Sequence, residues 1–366
     1  MGVNGTHSFL KKRGFSAQVL SSPMIESVNT VHVDLLGSYY QMVIDNFFLK
    51  VPNVAAKLIF TKLGHIFSVD RTILYLDGGR TKEKQETAER RRNVKEKDIR
   101  KLNAMFRVAE GKAAQDRPIS ASQYDALCRL SRRTFTLTDS MKKTLVQIAR
   151  EEGWNMVACE GEADVHIGGL DLDETDVVIS GDSDLLFYPR VQQVLRPMKD
   201  RSFHLYRKSK VTAAANVTAL QWTCVGIVSG NDYNRNIKGF GIATNCKLIS
   251  KLKGDKIAQV IALYLKIDRV SDSNEGKVTF DNAIKVFGSQ QQELLMRPLE
   301  NQEEDIENSQ QLLNSEFYKK RLLDLKRTYI NTRKSMRAAN RYELLTLFKS
   351  PSHILTIFFL GAWLRT

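Results

Sequence analysis

The sequence predicts an α/β fold with a central, mainly parallel sheet, and three observations predict it. Short apolar, β-branched runs recur through the first half of the chain. Helical-length stretches separate them, over 38–64, 83–113, 121–131 and 138–152. Each run closes on a carboxylate. Runs of this kind, bounded by polar residues and joined by helices, mark strands of a parallel sheet covered on both faces.

Taken in order, "TVHVD" delivers Asp34 and "TILYLD" delivers Asp77. "MVACEGE" delivers Glu160 and Glu162, and "DVVISGDSD" delivers Asp182 and Asp184. In open α/β sheets ligands bind just beyond the carboxyl ends of the strands, so these acids are aimed at one edge. Between the second and third runs lies "RTKEKQETAERRRNVKEKDIRK", with ten Lys/Arg, five Asp/Glu and no aromatic residue. A segment so charged cannot be a core element. It reads as a solvated helix laced with i,i+4 pairs, or as a basic element serving the site after Asp77.

Composition narrows the classes. The chain has 366 residues and a formal net charge of +14, which favours a polyanionic partner, nucleic acid or an anionic membrane surface. Cys128, Cys159, Cys224 and Cys246 are scattered with no CxxC pair, which argues against a zinc module or a disulfide framework and for a reducing compartment. The opening "MGVNGTHSFLKKRG" lacks the apolar region of a secretory signal. It satisfies the loose myristoylation pattern at Gly2, but one acyl chain holds a membrane only marginally. "ILTIFFLGAW" has half the length of a spanning helix and reads as a packing segment or an atypical terminus rather than an anchor. Residues 300–307, "ENQEEDIE", read as an acidic loop, and the basic stretch from 317 to 345 reads as helical.

Along an extended strand end, positions i and i+2 face the same way, so Asp182 and Asp184 can act together, as can Glu160 and Glu162. With Asp34 and Asp77 they place six like charges at one edge, a repulsion that bound divalent cations would relieve. The donors are all oxygen and no HExxH motif occurs, which suits Mg²⁺ or Mn²⁺ rather than zinc. Two such ions would polarise a phosphodiester and activate a water. A single D-x-D is most often a helix cap; its recurrence at successive strand ends is the informative feature. Lys84 and Arg91, seven residues apart, share one helix face and could meet the phosphate.

A second phosphate site is predicted in "SGNDYNRNIKGFGIATNCKLISKL". Asp232 is a seventh acid there, and Gly239 and Gly241 form a Gly-x-Gly hairpin opening an amphipathic helix. Alone, that hairpin is a turn; beside a carboxylate cluster it reads as a clamp on a DNA backbone.

In this order the motifs resemble the XPG/flap-endonuclease family of structure-specific 5′ nucleases, in its flap endonuclease and 5′→3′ exonuclease branch, over roughly residues 1–265. "MGVNG", "VHVD", "LYLDGG", "CEGEAD", "GDSDLL" and "SGNDYNRNIKGFG" carry the resemblance. It implies a PIN-like fold with two Mg²⁺ ions, replaceable by Mn²⁺, held by Asp34, Asp77, Glu160, Glu162, Asp182, Asp184 and Asp232. It implies that Lys84 and Arg91 act from a helical arch, that Tyr40 stacks near the cleaved nucleotide, and that Gly2 lies beside the site. It further implies a potassium-assisted duplex clamp at Gly239 and Gly241, DNA as partner, a monomer and a nuclear location. The regions implied are 1–110 and 111–225 for the nuclease, 226–265 for the helix-hairpin-helix, and 266–366 as an extension.

The sequence departs from the family at "HIGGL" after the third motif and at Asn231, where a small residue is usual. "QLLNSEFY" (311–318) has paired aromatics but Asn314 where a sliding-clamp motif needs an aliphatic residue, so a clamp partner is not supported. The function expected is a Mg²⁺-dependent 5′ nuclease on flapped, nicked or gapped DNA. A catalytically silent nucleic-acid-binding scaffold and an RNA-directed nuclease are the alternatives.

Overall fold

The computed structural model describes residues 2–21, 28–79, 82–288 and 317–326. "ENQEEDIE", "ILTIFFLGAW" and most of the basic stretch from 317 to 345 lie outside the described residues.

Among the described residues, a sheet of seven strands runs in the order β1-β7-β6-β5-β2-β3-β4. The strands are β1 (Gln18–Leu20), β2 (Val31–Asp34), β3 (Thr72–Leu76), β4 (Asn155–Ala158), β5 (Val177–Ile179), β6 (Gln193–Pro197) and β7 (Phe203–Arg207). β4, β3, β2, β5 and β6 run parallel. β7 returns antiparallel to β6, and β1 lies antiparallel on β7. The mainly parallel sheet expected from the sequence is present. Val33, Leu74, Val178 and Ile179 are fully buried, as strands with both faces covered require.

The helices are α1 (Thr6–Lys12), α2 (Leu35–Leu49), α3 (Pro52–Gly64), α4 (Gln85–Ala114), α5 (Ala121–Thr134), α6 (Asp139–Glu151) and α7 (Ala163–Gly168). They continue with α8 (Lys208–Ala215), α9 (Ala219–Val228), α10 (Ile242–Ile249), α11 (Ile257–Leu265), α12 (Asp268–Ser273) and α13 (Asp281–Gly288). The stretch expected as one helix over 38–64 is two. Lys50 and Val51 are extended, and Pro52 opens α3, where a residue without an N–H is tolerated. α9 is largely buried, from Trp222 through Val228. A capping box of Thr218 and Gln221 starts it, and Trp222 stacks on Phe187 with ring centroids 4.5 Å apart while donating to the Leu186 carbonyl.

The chain forms two compact units, 1–93 with 136–310, and 94–135 with 311–366. Both are discontinuous in sequence, whereas the expected regions are contiguous; one division follows packing and the other motif order. Within the second unit, residues 317–326 are helical and bury Tyr318, Leu322 and Leu325. Arg321 pairs with Glu110 at 2.6 Å through both its Nε and a terminal nitrogen, over the ring of Phe106. Tyr318, one of the paired aromatics of "QLLNSEFY", is thus spent on internal packing. Among the described residues no single helix is long and apolar enough to cross a membrane.

Candidate functional site

Parallel pairing of β5, β2, β3 and β4 brings their carboxyl ends to one edge, and a pocket of about 400 Å³ opens there. Asp34, Asp77, Glu162, Asp164, Asp182 and Asp232 line it, with Lys84, Arg91 and Tyr40. All belong to the first unit.

Local backbone geometry fixes each acid. Asp34 ends β2 and caps α2: one carboxylate oxygen accepts from Gly37 N–H at 2.8 Å and the other from Ser180 Oγ at 2.9 Å. Gly37 has no room for a side chain, because a Cβ there would stand 1.9 Å from Asp34 Oδ2. Helical glycine to alanine ordinarily stabilises, by about 1 kcal/mol. Here Gly37→Ala is expected to lower the melting temperature by about 3–8 °C in a thermal melt, since Asp34 must swing off its two donors. A rise would show that Asp34 is not held as described.

Asp77, just past β3, accepts from Ala163 N–H at 2.7 Å, at the N-terminus of α7. The Gly78–Gly79 turn is pinned by Gly161 and Glu160 carbonyls, each at 2.8 Å. Gly78 is required, since a Cβ would lie 1.9 Å from the Cys159 carbonyl. Asp182 accepts from Asp184 N–H at 3.1 Å, so the D-x-D leaves the strand in a turn rather than extended. Asp232 follows α9 in a turn built by Asn231, whose Oδ1 accepts from the N–H groups of Tyr233 and Asn234, both at 2.9 Å. The Asn231 side chain thus performs an Asx-type turn at a position where the family carries a small residue.

Of the residues expected at the site, Glu160, Asp184, Gly2, Gly239 and Gly241 do not line the pocket. Glu160 is exposed and does not line the pocket; Asp164 stands there instead. β4 ends at Ala158 and α7 begins at Ala163, so strand alternation does not extend across 160–162, and the first turn of the helix presents Glu162 and Asp164. Asp184 lies fully buried rather than on the pocket lining, both its oxygens without a hydrogen-bond partner. Gly2 is buried at φ 94°, where a Cβ would meet Asp182 Oδ1 at 2.0 Å, so it packs directly against the D-x-D turn beside the pocket. Gly239 and Gly241 sit exposed at the start of α10, away from the pocket lining, with open space where a Cβ would be.

The electrostatics are those of crowded, dry carboxylates. Burial, then Asp77, holds Asp34 well above the usual carboxylate range. Burial, then Asp182 and Asp164, does the same to Asp184. Asp77 and Asp182 are raised mainly by burial, and burial pushes Glu162 up to about 7 against the pull of Lys84. Two cations of the chain itself offset part of this charge. Lys84, in the turn before α4, lies 2.8 Å from Glu162 and 3.8 Å from Asp164. Burial lowers the Lys84 ammonium, but Asp164 and Glu162 outweigh it and hold it well above its ordinary value. Arg91, in α4, lies 2.6 Å from Asp232, and Arg235 of the same turn pairs with Glu86 of the same helix.

Among the described residues no three acidic, imidazole or thiol groups are drawn up as a ready-made ion cage. The donor set nonetheless fits hard divalent cations. It is all oxygen, it is over-charged for its burial, and the two unpartnered oxygens of Asp184 lie beneath it.

The fold and the pocket define an α/β protein with an acidic site at the carboxyl ends of parallel strands. In sequence the chain is 28% identical to Exonuclease 1 of Danio rerio over 208 residues, 54% of this chain and 24% of that protein. It is 27% identical to Exonuclease 1 of Xenopus laevis over 204 residues, 54% of this chain and 26% of that protein. The chain therefore spans about a quarter of the length of these curated relatives. In structure it is similar to human GEN1, solved with Holliday junction DNA, at a TM-score of 0.50 and 17% identity, covering 90% of this chain and 78% of that one. No family model matches. The resemblance to the XPG/flap-endonuclease family and the PIN-like α/β fold it implies are borne out.

Proposed function

We propose that the chain is a divalent-metal-dependent 5′ nuclease that hydrolyses phosphodiester bonds in flapped, nicked or gapped DNA. The observation that carries this is the gathering of six carboxylates, Lys84, Arg91 and Tyr40 in one pocket. The similarity to Exonuclease 1 supports it, and suits a nuclear place of action. Asp34, Asp77, Glu162, Asp164, Asp182 and Asp232 would hold Mg²⁺, with Asp184 beneath; Glu160 is left out. Bound there, the ions would supply Lewis acidity and an activated water.

The chain's own residues do the rest. Lys84 and Arg91 present cations to the non-bridging oxygens of the scissile phosphate, where charge develops. Tyr40, half exposed at the pocket, offers a ring on which a terminal base can stack. The exposed glycine backbone before α10 lets a duplex phosphate approach the helix N-terminus. A catalytically silent scaffold is the second reading, favoured by the Lys84 and Arg91 pairs, which hold the cluster together with protein charges alone.

The test is a panel of labelled 5′-flap, nicked and single-stranded DNA and RNA, incubated with Mg²⁺ or with EDTA. Cleavage of the branched DNA in Mg²⁺ alone is expected. Binding without cleavage of any substrate would favour the scaffold, and preferential cleavage of RNA would overturn the substrate class.

A further inference from the structure

Tyr233 follows Asp232 and is buried, and nothing in the chemistry above uses it. Its side chain nevertheless touches both signs of charge in the site. The Lys84 ammonium lies 4.9 Å from the centroid of its ring. Its hydroxyl donates to Asp164 Oδ2 at 3.3 Å. Phe287, in α13, meets the same ring edge-on at 5.8 Å, with an interplanar angle of 89°, and lies 4.8 Å from Tyr188. The Tyr233 N–H is fixed by Asn231, so the side chain springs from a set turn.

Lysine is a compact charge on a flexible four-carbon stem, and two carboxylates on one side do not select a single rotamer for it. A ring face in a dry site does, because the desolvated ammonium is drawn to the negative face of the ring's quadrupole. The hydroxyl likewise selects one orientation of Asp164, through a hydrogen bond to a charged acceptor. We propose that Tyr233 is a positioning residue: its ring seats Lys84, its hydroxyl orients Asp164, and Phe287 holds the ring between them. α13 lies beyond the stretch that carries the sequence motifs, and through Phe287 it becomes part of the architecture of the site. What Lys84 does once seated rests on the nuclease reading above; the seating itself does not.

Two readouts on the full chain test this. The first is the rate at which an amine-acylating reagent modifies Lys84 in metal-free protein, followed by peptide mass spectrometry against the surface lysines as internal standard. Tyr233→Leu is expected to raise that rate about tenfold, and Tyr233→Phe, which keeps the ring, to leave it within about twofold. Equal rates in all three proteins would overturn the seating whatever the activity. Should Tyr233→Leu fail to fold, Phe287→Leu is expected to raise the rate about threefold by loosening the ring, and no rise would overturn the proposal.

The second readout is cleavage of a 5′-flap substrate. Tyr233→Leu is expected to lower kcat about 100-fold with KM within about threefold, and to add to the loss caused by Lys84→Ala no more than the roughly three- to tenfold that belongs to Asp164. Tyr233→Phe should fall only about three- to tenfold, through Asp164 alone. A full further loss of about 100-fold in the double variant would overturn the proposal. If the unaltered protein cleaves nothing, the nuclease reading falls while the acylation rates still decide the role of Tyr233.

Discussion

Asp184→Asn is expected to raise the melting temperature of the metal-free protein by about 2–6 °C and to reduce cleavage at least 100-fold. Both effects have one cause. Asp184 is fully buried, its oxygens find no donor, and Asp182 and Asp164 add their repulsion to the desolvation. Its folded-state pKa is therefore raised, so above the unfolded pKa the folded chain retains a proton that the unfolded chain has released. Stability is lost as pH rises through that window, and the asparagine variant is spared the loss. The difference in melting temperature between variant and parent should thus be small below about pH 4 and open as pH rises. Added Mn²⁺ should close it by stabilising the parent more than the variant. A variant less stable than the parent at pH 7 would show that Asp184 is already compensated.

Arg91→Ala is expected to slow cleavage by roughly 100- to 1,000-fold, the cost of removing one donor aimed at developing charge. Duplex binding should stay within about threefold, because one phosphate contact among many is lost. Affinity for Mn²⁺ should rise rather than fall, since Arg91 occupies Asp232 in the metal-free chain. The gain is bounded. The Arg91 side chain is 49% exposed, and a pair of this kind contributes about 1 kcal/mol at most, so the affinity should rise about fivefold or less. Lys84→Ala should behave differently. Its side chain is only 11% exposed, and removing one partner of a buried pair costs roughly 3–5 kcal/mol, so this variant loses stability as well as turnover. Loss of duplex binding with normal turnover in either variant would contradict the assigned roles.

What the sequence disclosed and what it hid follow from the same physics. The strands that carry Asp34, Asp77 and Asp182 were legible because a doubly covered parallel strand is a continuous apolar run, and a carboxylate ends it abruptly. β6, β7 and β1 were not anticipated: they lie toward the edge, pair partly antiparallel, and carry charged residues such as Arg196 and Arg207. Glu160, Glu162 and Asp164 alternate at i, i+2 and i+4, and which of them face the pocket depends on where α7 begins, which strand alternation does not tell. Glu162 capping the helix and Asp164 in its first turn is a placement that N-terminal acid preference could have suggested. The Lys84 and Arg91 pairs and the role of Tyr233 depend on contacts between residues tens to more than a hundred positions apart, which no local pattern encodes.

The central claim is that the strand-end carboxylates form a divalent-cation site, and direct titration of metal-free protein with Mn²⁺, read by calorimetry or by loss of the free-ion EPR signal, tests it most directly. Saturable binding close to two ions per chain is expected, weakened at least tenfold by Asp182→Ala and unaffected by Glu160→Ala. No saturable binding, or binding that Asp182→Ala leaves unchanged, would contradict the claim.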